Sequence, residues 1–456
     1  MASHAHAGVV TRRRFGAAVF VLALLSGAPA PAEDAAAPPV AVAARLAEDG
    51  ETAKLTFDLS GPVEASAHAM ADPDRIVVDL GELNFQLDPL VGRAAPKRAD
   101  AIVKAFRFGL FGPGKSRVVI DLARPACVAK VETTAIARGL PPSRLAIELK
   151  LCDATAFAAA ARPAAAGEAS ASAAPPEEAA AGPGGGPPVI VIDPGHGGVD
   201  GGAYGPGGAV EKTLVYDYAL ELERRLDAKR RFKVVLTRHG DEFVSLDDRV
   251  RIAREASAAL FISIHADILG EAAADVSGAT VYTSSERASD AEAARIAERE
   301  NAADKAAGVE QKTEAAGVAG ILFDLKRRET RAYAHIFSRG LIEQWRGAGR
   351  LNRNPERSAG FVVLKAPDFP SVLVELGYLS NAQDVQAMNS ADWRAKTAGA
   401  MADAIDRFFA AARSEAEGAP KTEDAVAASN KLPAAEPANQ KIPAAAAGQG
   451  AAARAP

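Results

Sequence analysis

The sequence VIVIDPGHGG at residues 189–198 contains the feature that decides the fold. Four β-branched aliphatic residues are followed at once by an Asp-Pro pair and by glycines on both sides of His196. A short, continuous apolar run of this kind is typical of a strand buried on both faces, and Pro and Gly end it. A second run, ALFISIHAD at residues 259–267, ends in the same way at His265. The sequence therefore predicts two buried strands, each with a histidine at its carboxyl end.

Segments typical of strands and of helices alternate on either side of these two runs. Helices are predicted at EKTLVYDYALELERRLDA (211–228), LDDRVRIAREAS (246–257) and residues 390–412, and further strands at KVVLTR (233–238), ATVYTS (279–284) and SVLVELGYL (371–379). This alternation predicts an α/β domain over residues 189–413, with a mostly parallel twisted sheet flanked by helices.

The chain before residue 189 differs in character. Residues 39–153 contain short alternating runs bounded by Gly, Pro or Asp, which predict a small all-β sandwich domain. Residues 154–188 consist mainly of Ala, Pro, Gly, Glu and Ser, and we predict a disordered linker because they bury too little apolar surface to order the chain. The low-complexity residues 414–456 are predicted to be a disordered tail.

The N-terminus is typical of an export signal. Residues 1–32 contain three arginines, an apolar run at about residues 15–25 and then small residues. The run is shorter than the roughly 20 residues that span a bilayer, so a cleaved signal peptide is predicted. TRRRF at residues 11–15 favours the twin-arginine route over an ordinary secretory signal. We expect no membrane anchor after cleavage.

The net charge and the cysteine content argue against a nucleic-acid partner and against a cysteine-only zinc site. The net charge of -5 argues against nucleic acid, which requires a concentrated basic surface. The two cysteines, Cys127 and Cys152, are too few for a zinc site of their own. An even number in an exported protein is typical of a disulfide, and the alternative is a pair of buried free thiols.

The histidines of the α/β domain predict a metal site. His196 and His265 follow buried strands, and the carboxyl ends of parallel strands meet at one edge of a sheet. A hydrolytic zinc site takes three protein ligands, and Glu211, which follows a glycine-rich loop, is the third candidate. The alternatives are loop histidines bonded to backbone and a glutamate that stabilises a helix N-terminus by a few tenths to about 1 kcal/mol. His239 and His335 are assigned to the surface or to packing.

Glu375 is the only acidic residue in the predicted strand SVLVELGYL. Burying an unpaired carboxylate costs several kcal/mol, so its position needs an explanation. A general base beside a metal-bound water is one explanation. An ion pair with Lys365 or with an arginine is the other.

Three segments resemble the successive motifs of the bacterial N-acetylmuramoyl-L-alanine amidases of the amidase-3 class: VIVIDPGHGGVDGGAYGPGGAVEK (189–212), VVLTRHGDEFVSLDDRVRIAREASAALFISIHAD (234–267) and PSVLVELGYLSN (370–381). The resemblance extends over about residues 189–409. It implies hydrolysis of the amide bond between N-acetylmuramic acid and L-alanine in peptidoglycan. It further implies one Zn²⁺ per catalytic domain, with His196, Glu211 and His265 as its ligands and Glu375 as the catalytic glutamate.

The β domain is similar to the AMIN domain, through LTFDLSGPVEASAHAMADPDRIVVDL at residues 55–80. That similarity implies a module that binds peptidoglycan and recruits the enzyme to the division septum. Together with the export signal, it implies a periplasmic enzyme that splits the septal wall during daughter-cell separation.

The helical region at about residues 285–347 is similar to the regulatory insertion of the division amidases. In that family a helix blocks the zinc site until a periplasmic activator of the EnvC or NlpD (LytM-like) type displaces it. The similarity implies that Glu300 blocks the zinc, with Glu292 and Glu298 as alternatives. Two other functions are considered: a catalytically silent scaffold that binds peptidoglycan, and a zinc peptidase of the stem peptide.

Overall fold

The computed structural model describes residues 38–93, 99–136, 143–161, 186–269, 276–309 and 321–418. The predicted signal peptide at residues 1–32 lies outside the described residues. So do most of the predicted linker and the tail beyond residue 418.

The N-terminal domain is a sandwich of two β-sheets. Its strands are β1 (Val40–Glu48), β2 (Thr52–Leu59), β3 (Ala65–Met70), β4 (Arg75–Gly81), β5 (Asn84–Phe85), β6 (Val103–Gly112), β7 (Lys115–Leu122), β8 (Ala126–Ala135) and β9 (Ser143–Leu151). One sheet has the order β5-β1-β2-β9-β8 and the other the order β3-β4-β7-β6. Alternate residues from the two sheets meet in one apolar core around Phe57, Ile120 and Ile147.

The end of this domain differs from the prediction of a disordered linker at residues 154–188, because the linker begins with a helix. A disulfide joins Cys127 in β8 to Cys152, just after β9. Helix α1 (Ala154–Ala160) follows, in a stretch predicted to be linker. The Asp153 side chain accepts a hydrogen bond from the Ala156 amide, which caps a run of alanines, and Phe157 packs into the sandwich core. A helix cap and one buried phenylalanine thus accompany the ordered start of an alanine-rich segment.

The second domain is built around a six-stranded mixed sheet with the order β11-β10-β12-β15-β13-β14. Its strands are β10 (Val189–Pro194), β11 (Lys233–Leu236), β12 (Leu260–His265), β13 (Ala279–Ser284), β14 (Leu351–Ala359) and β15 (Ser371–Glu375). Its helices are α2 (Glu211–Lys229), α3 (Leu246–Glu255), α4 (Ala291–Asn301), α5 (Ala303–Ala306), α6 (Ile321–Trp345), α7 (Ala382–Asn389) and α8 (Ala391–Gly418). Among the strand pairs that the described residues form in this sheet, only β13–β15 is antiparallel, so β13 and β14 run opposite to the other four strands. The predicted α/β class with a mostly parallel sheet is confirmed.

Helices cover both faces of the central strands. Ile190 and Ile262 pack towards α2, α6 and α8, whereas Val191 and Phe261 pack towards α3 and α4. Burial on both faces explains why β10 and β12 are continuously apolar. The edge strand β14 and the short helix α7 were not predicted. LNRNPERSA is polar and contains a proline, which a sheet edge tolerates.

The register of the central strands fixes where the site forms. Pro194 of β10 pairs with Ile264 of β12, and His265 of β12 pairs with Glu375 of β15. The carboxyl ends of three adjacent strands therefore lie side by side. The two domains belong to one compact unit that begins at Pro39. Among the described residues, no helix combines the length and the apolar character needed to cross a membrane.

Candidate active site

The three predicted zinc ligands meet at the carboxyl edge of the sheet. The rings of His196 and His265 lie edge to face with their centroids 4.9 Å apart. Glu211 Oε1 lies 3.2 Å from His196 Nε2 and 3.2 Å from His265 Nδ1. All three side chains are buried. The structure therefore brings together residues that are up to 69 positions apart, from His196 to His265.

Glycines give the histidines their room. A Cβ on Gly195 would lie 2.4 Å from His265 Cε1. A Cβ on Gly202 would lie 2.6 Å from both Glu211 Oε2 and His196 Cδ2, and Gly202 has a φ of +67°. A side chain at Gly195 would displace His265, and one at Gly202 would displace Glu211 or His196.

Backbone amides hold Glu211 in place. Its Oε2 accepts from the Ala203 amide at 2.8 Å, and its Oε1 accepts from the Ala266 amide at 2.8 Å. Glu211 is the first residue of α2, and the chain before it folds back so that the Glu211 amide donates to the Ala203 carbonyl. The carboxylate thus bonds to the loops after β10 and β12 at once.

Asp200 is a site residue that sequence reasoning missed. Its Oδ2 lies 2.8 Å from His196 Nδ1, and its Oδ1 accepts from the Gly202 amide at 3.1 Å. With its proton on Nδ1, shared with Asp200, a neutral His196 would offer the lone pair of Nε2 to a metal ion on the side that faces Glu211. Nε2 has no hydrogen-bond partner in the described part of the chain. The four-residue spacing in the glycine-rich HGGVD segment is the signal that could have identified this carboxylate.

Arg249 was also missed, and it fixes the loop that carries His196. Its guanidinium donates to Asp193 Oδ1 at 2.7 Å, to the Pro194 carbonyl at 2.9 Å and to the His196 carbonyl at 2.8 Å. Although burial acts in the opposite direction, Arg249 and the hydroxyls of Thr237 and Ser263 keep the pKa of Asp193 below its usual value. The buried ion pair between Arg249 and Asp193 therefore fixes the loop that carries His196.

A second carboxylate reaches the histidines from the helical insertion. Glu300, near the end of α4, places Oε2 3.3 Å from His196 Nε2 and 3.0 Å from His265 Nδ1. Glu292 instead accepts from Arg357 at 3.0 Å, and Glu298 is exposed. Of the three candidate glutamates, only Glu300 enters the site.

The four clustered groups can hold a metal ion. One ligand atom from each of His196, Glu211, His265 and Glu300 lies within 4.8 Å of all the others. Burial disfavours charge here, yet Glu300 and Glu211 raise the pKa of His265 to about 10, and the imidazoles in turn lower that of Glu300 to about 2. Two buried carboxylates therefore favour two positive charges between them, which two protons or one divalent cation supplies.

Glu375 lies beside this cluster as a buried carboxylate that forms no ion pair with any described residue. Its Oε2 accepts from the Asp267 amide at 2.9 Å, and its Oε1 has no hydrogen-bond partner among the described residues. Burial, and secondly the charge of Asp267, raises the pKa of Glu375 well above its usual range. Lys365, the alternative partner, is exposed. A carboxylate in this environment suits proton transfer near neutral pH.

The other two histidines of this domain lie elsewhere. His239 is exposed, and His335 Nδ1 lies 3.1 Å from Glu356 on the half-buried surface of α6. Neither belongs to the metal-competent cluster. A buried His-Glu-His set with an adjacent high-pKa carboxylate is an arrangement suited to metal-assisted hydrolysis.

Comparisons with known proteins agree with this geometry. Residues 190–407 match the Amidase_3 family model, described as N-acetylmuramoyl-L-alanine amidase, and residues 43–147 match the AMIN domain model. N-acetylmuramoyl-L-alanine amidase AmiC of Escherichia coli O6:H1 is 30% identical over 381 residues, covering 81% of this chain and 89% of the relative. AmiA of Escherichia coli K12 is 37% identical over 220 residues, covering 48% of this chain and 75% of the relative.

A third relative extends over most of both chains. N-acetylmuramoyl-L-alanine amidase AmiC of Neisseria meningitidis serogroup B is 30% identical over 413 residues, covering 87% of this chain and 96% of the relative. The predicted resemblance is thereby confirmed for both domains. The chain belongs to the N-acetylmuramoyl-L-alanine amidases, enzymes of peptidoglycan.

Proposed function

We propose that this amidase is a zinc enzyme of septal cell-wall splitting that its own helix α4 keeps inactive. The observation that carries the proposal is the position of the Glu300 carboxylate, in contact distance of both histidines of the metal-competent cluster. The activity itself follows from the family; the metal, the regulation and the cellular role are the proposed parts.

The donor set supports zinc as the metal. Two imidazoles and one carboxylate, from His196, His265 and Glu211, form one of the ligand sets found in zinc hydrolases. His196 Nε2 is a buried nitrogen with no hydrogen-bond partner in the described residues, as a ligand nitrogen would be. Zinc, when bound, polarises the scissile carbonyl and lowers the pKa of water.

The remaining chemistry belongs to the residues of this chain. Glu375 Oε1 accepts the proton of the attacking water and returns it to the leaving amine of L-alanine. Its raised pKa fits both halves of that transfer. Asp200 holds the His196 ring in one orientation, and Arg249 holds the loop. These contacts keep the site in one geometry before substrate binds.

The blocking role of Glu300 rests on where α4 lies. The contacts of the Glu300 carboxylate with His196 and His265, the two histidines proposed to bind zinc, support this role, since a carboxylate there would compete with a water or a substrate carbonyl for the open metal position. The adjacent Arg299 contacts the Asp267 side chain and the Ile268 carbonyl, which holds the same turn of α4 against the site. We infer that a periplasmic activator of the EnvC or NlpD type moves α4. Inverting a 99:1 bias towards the closed state takes about 5.5 kcal/mol of differential binding.

The proposed location is the periplasm, reached by the twin-arginine route, with recruitment to the septum by the AMIN domain. The Cys127–Cys152 disulfide supports an oxidising compartment. The arginines of TRRRF at residues 11–15 support the twin-arginine route.

The proposed block of the site by Glu300 of α4 is here called the lock. Glu300→Ala tests it, and Glu298→Ala is the matched control because Glu298 is exposed on the same helix. We expect the full-length Glu300→Ala enzyme to bind stoichiometric zinc and to cleave a soluble muramyl peptide at least tenfold faster than wild type without activator, while Glu298→Ala stays at the wild-type rate. Equal rates for the two variants would remove Glu300 from the lock.

Product analysis of the same reaction separates the alternatives. An amidase releases an intact stem peptide with a free L-alanine amine. Shortened peptides would show a peptidase of the stem, and no product from either variant would show a silent scaffold.

A further inference from the structure

The AMIN domain contacts the polypeptide that follows Glu300. Residues 303–309, here called the anchor segment, comprise α5 and the three residues after it. They lie against the β3-β4-β7-β6 sheet, on a surface that we call the AMIN docking face and that consists of Arg75, Val77, Phe111, Arg117 and Val119. The anchor segment begins three residues after Glu300.

Two arginines of the docking face hold the end of α5. Arg117 Nη1 donates to the Ala307 carbonyl at 3.1 Å and to the Gly308 carbonyl at 2.8 Å. Arg75 Nη1 contacts the Lys305 carbonyl. Arg117 thus donates to the carbonyls of the two residues that follow α5, and Arg75 gives a second contact to the Lys305 carbonyl, which also accepts from the Gly308 amide at 3.0 Å.

The two arginines are themselves fixed in place. Arg117 Nε donates to Asp79 at 2.7 Å and Arg75 Nε donates to Asp121 at 2.8 Å, and both guanidinium side chains are about one-tenth exposed or less. Charged donors held in this way lose little freedom when they bind a carbonyl, which strengthens the contact.

An apolar cluster joins the anchor segment, the docking face and the loops of the catalytic domain. Ala307 of the anchor segment is buried in a cluster with Val119 of the docking face and with Val199 and Phe243 of the catalytic domain. Phe111 stacks on Phe243 with ring centroids 5.6 Å apart and planes 8° from parallel. This cluster is separate from the cores of the two domains.

Gly308 shows how closely the anchor segment approaches the sheet. A Cβ there would lie 2.7 Å from Val77 Cγ2, and Gly308 has a φ of +71°. Only a residue without a side chain fits this backbone conformation at this distance.

Strand β6, which carries Phe111 of the docking face, also contacts the loop of His196. The Val199 amide donates to the Leu110 carbonyl at 3.1 Å, and a Cβ on Gly109 would lie 2.3 Å from the Gly198 carbonyl carbon. The AMIN domain therefore contacts both the loop that carries the first zinc ligand and the segment that follows the blocking glutamate.

We propose that the AMIN docking face is a structural part of the lock: by binding the anchor segment it keeps α4, and with it Glu300, on the two histidines. The proposal rests on the proposed blocking role of Glu300. The AMIN docking face binds residues 303–309 of the same chain. Release of the site then requires the anchor segment to leave the docking face, so the AMIN domain regulates the catalytic domain in addition to any binding of the wall.

The test uses the full-length enzyme with Arg117→Ala, and with Arg144→Ala as the matched control. Arg144 also pairs with an aspartate, Asp58 at 2.8 Å, but lies in the other sheet. A soluble muramyl peptide as substrate makes turnover independent of wall binding. Loss of the two hydrogen bonds from one guanidinium is expected to raise basal turnover about tenfold and to accelerate hydrogen exchange of the amides in residues 304–309. Arg144→Ala should change neither.

Phe111→Ala is the second variant, because Arg117→Ala also removes the arginine that pairs with Asp79. Phe111 contacts the catalytic domain through Phe243, and its removal is expected to shift both readouts in the same direction. Thermal unfolding of each variant checks that the AMIN domain remains folded.

A Glu300→Ala enzyme measured in parallel distinguishes the proposed blocking role of Glu300 from the proposed role of the docking face. Faster turnover of Glu300→Ala, with turnover and exchange unchanged in both folded docking-face variants, would overturn the role of the AMIN face and leave the lock standing. Unchanged turnover of Glu300→Ala would overturn the lock, and the docking-face proposal with it. Faster turnover and exchange in the docking-face variants is the supporting result.

Discussion

At the scale of single residues, the proposed role of Glu375 in proton transfer can be tested most directly. Glu375→Gln keeps an oxygen to accept from the Asp267 amide but cannot take a proton. In a Glu300→Ala background, we expect amidase turnover to fall about 10²- to 10⁴-fold with zinc content unchanged. Steady-state rates and metal analysis measure the two effects.

Glu298→Gln in the same background is the control, because it makes the same chemical change at an exposed position of α4. Near-normal turnover of Glu375→Gln with zinc bound would remove Glu375 from proton transfer.

The sequence was sufficient for some residues of the site and not for others. Two histidines at strand ends and a lone carboxylate in an apolar strand are visible because each breaks a local pattern. Asp200 and Arg249 break none: an aspartate in a glycine-rich loop and an arginine on an amphipathic helix are ordinary there. Their roles depend on contacts with His196 that only the fold creates.

At the scale of elements, the loop between β10 and α2 depends on glycines for two different reasons. Gly202 and Gly207 have nearly the same positive φ, +67° and +69°. A Cβ on Gly202 would meet Glu211 and His196, whereas a Cβ on Gly207 has no other atom within 4 Å. Backbone strain alone is worth about 1 to 2 kcal/mol at either position.

We therefore expect Gly202→Ala to lower zinc affinity at least tenfold, because the added methyl group would displace Glu211 or His196, the proposed ligands. Gly207→Ala should bind zinc as wild type does and lose only a little stability. Zinc titration against a competing chelator measures the difference. Equal affinities in the two variants would show that the close approach at Gly202 does not hold the ligands.

The elements that were missed share a physical cause. Hydrophobic periodicity identifies elements by the apolar surface that they bury, and β14 buries little of it: its sequence is polar because it lies at the sheet edge. Helix α1 was not predicted because its alanine-rich composition resembles a linker, and the sequence does not show that Asp153 caps it and that Phe157 packs into the sandwich core. Strands buried on both faces were correctly predicted because burial alone fixes their composition.

At the scale of the whole molecule, the contact between the domains could not be predicted from sequence. Arg117, Phe111 and Gly308 each look ordinary in their own segments, and their meeting depends on how two separate folds are placed. In the described part of the chain, the shared cluster nevertheless contains only four buried residues, against a much larger core in each domain. We therefore expect the two domains to unfold in separate transitions.

The disulfide identifies one of these transitions. Both cysteines of the chain lie in the AMIN part, and the Cys127–Cys152 bridge closes a loop with a sequence separation of 25. Its reduction is expected to lower the unfolding free energy of the β-sandwich by about 2 to 4 kcal/mol, because the unfolded chain regains conformational freedom. The catalytic domain contains no cysteine, so its transition should move only when a chelator removes zinc. Calorimetry with reductant, with chelator and with both separates the two effects, and a Cys127→Ala/Cys152→Ala variant should not respond to reductant. A reductant that shifts both transitions of the wild type equally would show that the small shared cluster couples the domains into one unfolding unit.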